Sequence, residues 1–142
     1  MEIIPADTII LHCTASQPDP KIGAATIRQW HRDRGWSDIG YHYVIRVDGV
    51  IEPGRPLTRT GSHTKGHNHQ IGVVYVGGVD PKGKPKDTMN PAQQASFTAL
   101  VHTLRHAFLK HFAVAGHNDY TDAKACPSFK VSAKFPHLIS NP

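Results

Sequence analysis

Long apolar runs are missing from this 142-residue chain, and no stretch approaches the roughly 20 apolar residues that cross a bilayer as a helix. A helical membrane span is thereby excluded. Cysteine is scarce too. Cys13 and Cys126 are the only two, so the fold cannot rest on a disulfide framework, and an isolated thiol in a chain of this size suits catalysis or metal ligation better. No internal repeat, low-complexity tract or linker divides the chain. The segment Met1-Glu2-Ile3-Ile4-Pro5-Ala6-Asp7 lacks a basic start, an apolar core and a small-residue cleavage site. The expectation is therefore cytoplasmic synthesis without a secretory signal, any target beyond the membrane being reached only after permeabilisation. Acidic charge is in short supply as well: 16 Lys and Arg against 11 Asp and Glu leave a net charge of +5. That excess favours polyanionic partners, but the basic residues are scattered apart from Lys82, Lys84 and Lys86, and no nucleic-acid module signature accompanies them. No specific nucleic-acid partner is expected.

What is present suits one domain spanning residues 1–142, a size that buries roughly 68% of the unfolded chain's surface. Thr8 to His12 reads as a first strand. After the Pro18-Asp19-Pro20 break, a helix is predicted from about Ala24 to Arg34, with Ile27, Trp30 and Arg34 on one side and Gly35 as its left-handed stop. Tyr41 to Val47 and Val50 to Glu52 flank Asp48-Gly49, which predicts a hairpin with a type I′ turn. Ile71 to Val76 is apolar on both faces, as a central strand covered above and below would be. Residues 79–90, with Pro81, Gly83 and Pro85, read as a loop closing at Asn90-Pro91, an N-cap followed by proline at the first helical position. The helix that follows is predicted to reach about His111 and to bury Phe97, Val101, Leu104 and Phe108. A strand from Ala113 to Gly116 and a short helix from Val131 to Phe135 complete the order. The fold class is α/β, a mixed central sheet with helices on both faces.

Chemistry concentrates in Gly116-His117-Asn118-Asp119-Tyr120-Thr121-Asp122-Ala123-Lys124-Ala125-Cys126-Pro127, where an imidazole, an ammonium and a thiol fall within ten residues. They are the parts of a metal hydrolase site: two ligands and one electrostatic catalyst. His12 is the candidate third ligand, because it ends one strand as His117 ends another. Parallel strands would bring both to one crevice outside their carboxyl ends. A zinc site of His12, His117 and Cys126 is the resulting expectation; pairing Cys126 with Cys13 would consume it. The other histidines have blander readings. His102 and His106 are four apart but opposite the apolar stripe, and no glutamate follows His102. His31, His111 and His137 read as surface or packing residues, His42 as packed or hydrogen-bonded, and His67 and His69 as exposed. His63, in the glycine-containing loop Gly61 to His69, is balanced between exposure and a cleft role.

Several of these segments together resemble the zinc-dependent N-acetylmuramoyl-L-alanine amidases of the phage lysozyme and peptidoglycan recognition protein type. The resemblance covers nearly the whole chain. It runs through Leu11-His12-Cys13-Thr14-Ala15-Ser16, Gly35-Trp36-Ser37-Asp38-Ile39-Gly40-Tyr41-His42-Tyr43-Val44-Ile45 with Asp48-Gly49, Gly61-Ser62-His63 through Asn68, Ile71-Gly72-Val73 with Gly77-Gly78, and Gly116-His117 through Lys124-Ala125-Cys126-Pro127. It implies one Zn2+ held by His12, His117 and Cys126, with Tyr41 beside it and Lys124 supporting the transition state. His63 and Asn68 would contact substrate. The reaction would be hydrolysis of the amide between N-acetylmuramic acid and L-alanine in bacterial peptidoglycan, by a monomeric, single-domain phage endolysin with no separate wall-binding domain. Asn118 stands where arginine is frequent, Gln70 where serine is common and Ser128 where glycine usually follows Cys-Pro; none is a proposed ligand. Other readings are a cytoplasmic muropeptide-recycling amidase, a thiol hydrolase with Cys126 as nucleophile, a wall-binding module without turnover and a basic nucleic-acid binder.

Overall fold

The computed structural model describes residues 2–139. Five strands, β1 (Thr8–Cys13), β2 (Tyr43–Ile45), β3 (Ile51–Pro53), β4 (Ile71–Tyr75) and β5 (Ala113–Gly116), form one sheet in the order β3-β2-β4-β1-β5. All neighbours pair in parallel except β2 and β3, which form the hairpin at one edge. Helix α1 (Ala24–Asp33) covers one face, where Ile22, Ala24 and Ile27 meet Val44, Val74 and Val76. Helices α2 (Pro91–Ala107), α3 (Val131–Lys134) and α4 (Pro136–Ile139) cover the other, packing Phe97, Val101, Leu104, Val131, Phe135 and Leu138 on Ile9, Leu11, Ile71 and Val73. Every residue of β1 and β4 is buried, as expected of strands enclosed on both sides.

Local chemistry sets the boundaries. The Asn90 side chain accepts from Gln93 N at 2.8 Å while the Gln93 side chain accepts from Asn90 N at 3.0 Å, a reciprocal cap at the start of α2. Gly35 ends α1 with φ +91. The hairpin turn differs from the type I′ expectation. Only Gly49 has positive φ, at +86, while Gly49 N bonds Arg46 O and Arg46 N bonds Val50 O. This is a three-residue loop whose last position alone needs the left-handed region, which glycine occupies without strain.

Three further expectations are corrected. Trp30 and Arg34 do not share the buried side of α1, which carries Ala24, Ile27 and His31; the backbone rotates so that an imidazole, not the indole, faces inward. Helix α2 stops at Ala107, so Phe108 leaves the stripe and is 39% exposed, and His111 lies beyond the helix. The β2 ladder is shorter than Tyr41 to Val47, yet His42 N still bonds Gly72 O and Arg55 N bonds Tyr41 O, so both residues remain fixed. His137 sits on α4, a helix with no sequence-level expectation.

Candidate metal centre and active site

The last β1–β5 pair is Leu11↔Gly116, so His12 and His117 emerge side by side from two parallel strands. Their rings are 4.7 Å apart between centroids. His12 is 1% exposed, whereas His117 is half-buried at the head of a single 3₁₀ turn, His117–Asp119. Asp119 closes that turn by accepting from Gly116 N at 2.8 Å.

Cys126 arrives on a loop, and several bonds hold the loop against the strand ends. Asn118 N donates to Cys126 O at 2.8 Å, while Asn118 Nδ2 donates to Ala125 O and Phe129 O. The buried Tyr75 hydroxyl donates to Pro127 O at 2.7 Å. Ser128 adopts φ +77, which explains why glycine would be at ease there, and its hydroxyl offsets the strain by donating to Gly78 O at 2.7 Å. The backbone N–H of Cys13 points at Cys126 Sγ, 3.1 Å away. Both cysteines are free thiols, so no disulfide consumes the candidate ligand Cys126.

The candidate ligand atoms of His12, His117 and Cys126 all lie within 4.8 Å of one another. Two imidazoles and a thiol are a donor set that suits zinc. The protonation states favour it in part. Burial, then the neighbouring His63 and His117 rings, hold His12 well below the ordinary histidine range; burial and Lys124 lower His117. Both therefore offer lone pairs at neutral pH. The adjoining Cys13 thiol and burial push Cys126 up, so binding a cation there must displace a proton.

His117 and Cys126 open onto a cavity of 480 Å³, lined also by Tyr41, His63, Asn68 and Lys124 among others, with His12 buried behind it. Tyr41 lies with its ring 5.1 Å from that of His12. Burial, then the nearby thiols, raise its phenol, which stays protonated. Lys124 is exposed at the rim and also lines an adjoining cavity of 320 Å³ with Tyr120 and Thr121. Arg34, Trp36, Thr64 and Lys65 line the main cavity too, and sequence reasoning missed them. The available signal was their place beside Gly35 and in the glycine-containing loop, which marks a rim but selects no single residue.

The remaining histidines are dispersed. His42 is buried, accepting from Gly72 N at Nδ1 and bonding Arg59 O through Nε2. His102, His106 and His111 are exposed. His69 is exposed as expected, but His67 is half-buried because its ring packs 4.3 Å from Tyr120.

An open α/β sheet with a His, His, Cys cluster and a lysine at its carboxyl edge is an arrangement of the kind used by metal hydrolases. The Amidase_2 family, N-acetylmuramoyl-L-alanine amidase, matches residues 4–129. The endolysin of Escherichia phage T7 is 44% identical over 124 residues, covering 87% of this chain and 81% of that protein. Among solved structures, the endolysin amidase LysCS from Clostridium intestinale URNW aligns with TM-score 0.75 at 29% identity, over 95% of this chain and 85% of that one. Bumblebee PGRP-SA aligns with TM-score 0.79 at 27% identity, over 94% and 82%. The chain belongs to the N-acetylmuramoyl-L-alanine amidase family.

Proposed function

We propose that this protein is a zinc-dependent phage endolysin that hydrolyses the amide between the lactyl group of N-acetylmuramic acid and L-alanine, lysing the bacterial host. The observation that carries the proposal is the convergence of His12, His117 and Cys126 to within 4.8 Å beside an open cavity. Zinc, when bound by those three residues, supplies Lewis-acid polarisation of the amide carbonyl and a water of lowered pKa. Lys124 stabilises negative charge developing on the carbonyl oxygen. Removing one such donor from comparable sites costs about 3 to 4 kcal/mol. Tyr41, a protonated phenol at the cavity wall, donates a hydrogen bond to the reacting group or its leaving nitrogen. Arg34, Lys65 and Lys124 line the cavity without a carboxylate among its wall residues, a balance suited to the acidic peptide stem of peptidoglycan. A thiol-nucleophile mechanism is disfavoured, because Cys126 is raised and a thiol is a poor nucleophile until ionised.

Mass analysis of purified peptidoglycan after digestion tests this reading. The expected products carry new L-alanine amino termini, vanish with a chelator and return with added zinc. Glycosidic or interpeptide cleavage, or full activity in chelator, would overturn it.

A further inference from the structure

The hydrogen bonds behind His12 determine which of its nitrogens is bare. His63 Nε2 lies 2.9 Å from the Gln70 carbonyl oxygen, which only accepts, so this nitrogen carries the proton and Nδ1 of the neutral ring is an acceptor. His12 Nε2 lies 3.0 Å from that Nδ1 and must donate to it. The Thr64 hydroxyl sits between the same two atoms, 2.9 Å from His63 Nδ1 and 3.2 Å from His12 Nε2. Nδ1 of His12 is therefore left with its lone pair free.

A second observation shows that the His63 ring is seated by design of the backbone. A Cβ at Gly72 would fall 2.5 Å from His63 Cδ2, and one at Gly61 would fall 2.6 Å from the same atom. Both sites must lack a side chain for the ring to lie where it does. Asn68 Oδ1 accepts from His63 N at 2.7 Å and Thr64 N at 2.8 Å, so the carboxamide oxygen of this cavity-lining residue shapes the loop. The Gln70 side chain accepts from Asp7 N and Thr8 N, tying the loop back to the start of β1.

We propose that His63 is a positioning residue for the metal ligand His12, setting its tautomer and ring rotation so that Nδ1 faces the cation, and that Asn68 serves the same end by holding the loop. This rests on the zinc reading above. Partners of this kind orient a ligating imidazole and raise its basicity, and losing one typically costs 10–100-fold in metal affinity.

The test compares the parent with His63→Ala, His63→Asn and Gly72→Ala, using zinc affinity from competition with a chromophoric chelator and ring ¹⁵N shifts of His12 in zinc-free protein. His63→Ala is expected to weaken zinc by about 10–100-fold and to turn the His12 Nε2–H form into a tautomer mixture. His63→Asn, whose Oδ1 can stand where Nδ1 stood, should recover most of the affinity. Gly72→Ala, which displaces the ring, should resemble His63→Ala and decides the matter if that variant fails to fold. Unchanged affinity and tautomer with a raised KM for muropeptide would overturn the proposal and return His63 to substrate contact. A parent that binds no zinc sinks the metal reading instead; the ring spectra, taken without metal, keep the two failures apart.

Discussion

Along β1, Ile9, Leu11 and Cys13 point toward α2, α3 and α4, whereas the alternate residues Ile10 and His12 point to the side covered by α1. The first face is closed by aromatic and aliphatic side chains: Phe97, Phe112 and Phe135 are at most 2% exposed, and Phe97 and Phe135 meet edge to face with centroids 5.1 Å apart. The second has a smaller apolar cluster, and beside it lie the largely buried imidazoles His12, His31, His42 and His63, the last two over Gly72 near the start of β4. Each of these rings is hydrogen-bonded, as buried polar groups must be. The two faces divide the labour: the α2 face supplies the apolar burial that stabilises the sheet, and the α1 face and its edge hold polar groups in fixed geometry.

The largest effects should come from the edge where the faces meet. Cys126→Ala is expected to lose zinc and activity together. Lys124→Ala should retain zinc and lose about 10²–10³ in kcat, the effect of removing one charge-stabilising donor. Metal analysis of both purified variants alongside muropeptide kinetics separates a ligand from an electrostatic catalyst, and a Lys124→Ala enzyme at the parental rate would refute its role.

On the closed face the expected loss is of stability alone. Phe97→Ala removes a fully buried ring from contact with Phe135 and should cost about 3 to 5 kcal/mol in denaturant unfolding. Zinc affinity should remain within a few-fold of the parent's. A matching loss of zinc affinity would show that the two faces are not separable.

The difference between the faces was only partly legible in the sequence. Apolar runs ending in histidine placed His12 and His117 side by side, because a parallel ladder makes chain ends coincide and period-two alternation fixes which side each residue faces. Asn90-Pro91 marked the start of α2 for an equally local reason. Helix phase was less visible. Trp30 and Phe108 look like core residues by composition, but a buried His31 accepting from Gly40 N, and an early end to α2 at Ala107, leave both partly exposed. The arrangement of His63 was hidden altogether, since it depends on the loop folding onto Gly61 and Gly72, the latter on a different strand. Asp48-Gly49 signalled the hairpin correctly, while the turn type depended on the extra residue accommodated at Gly49.

The smallest effect expected is an acid-dependent loss of stability on the α1 face, seen most simply at His31. Its Nδ1 accepts from Gly40 N at 2.8 Å, one residue before Tyr41, and its ring lies 4.5 Å from Trp36. Burial, then Arg34 and Arg55, lower the group to about 4 from an ordinary 6.5. Protonation would put a donor where an acceptor is needed. Because the unfolded chain takes up the proton first, His31 contributes its full stability above pH 6.5 and loses it as pH falls toward about 4. The loss should be on the order of 2 kcal/mol, somewhat less than the whole shift converts to. Thermal unfolding in chelator, which keeps metal release out of the signal, should therefore fall more steeply with acid for the parent than for His31→Asn, whose Oδ1 can accept the same N–H without titrating. Parallel curves for the two proteins would mean that the imidazole is protonated in place without breaking its bond, and that the α1 face tolerates charge as well as it tolerates polarity.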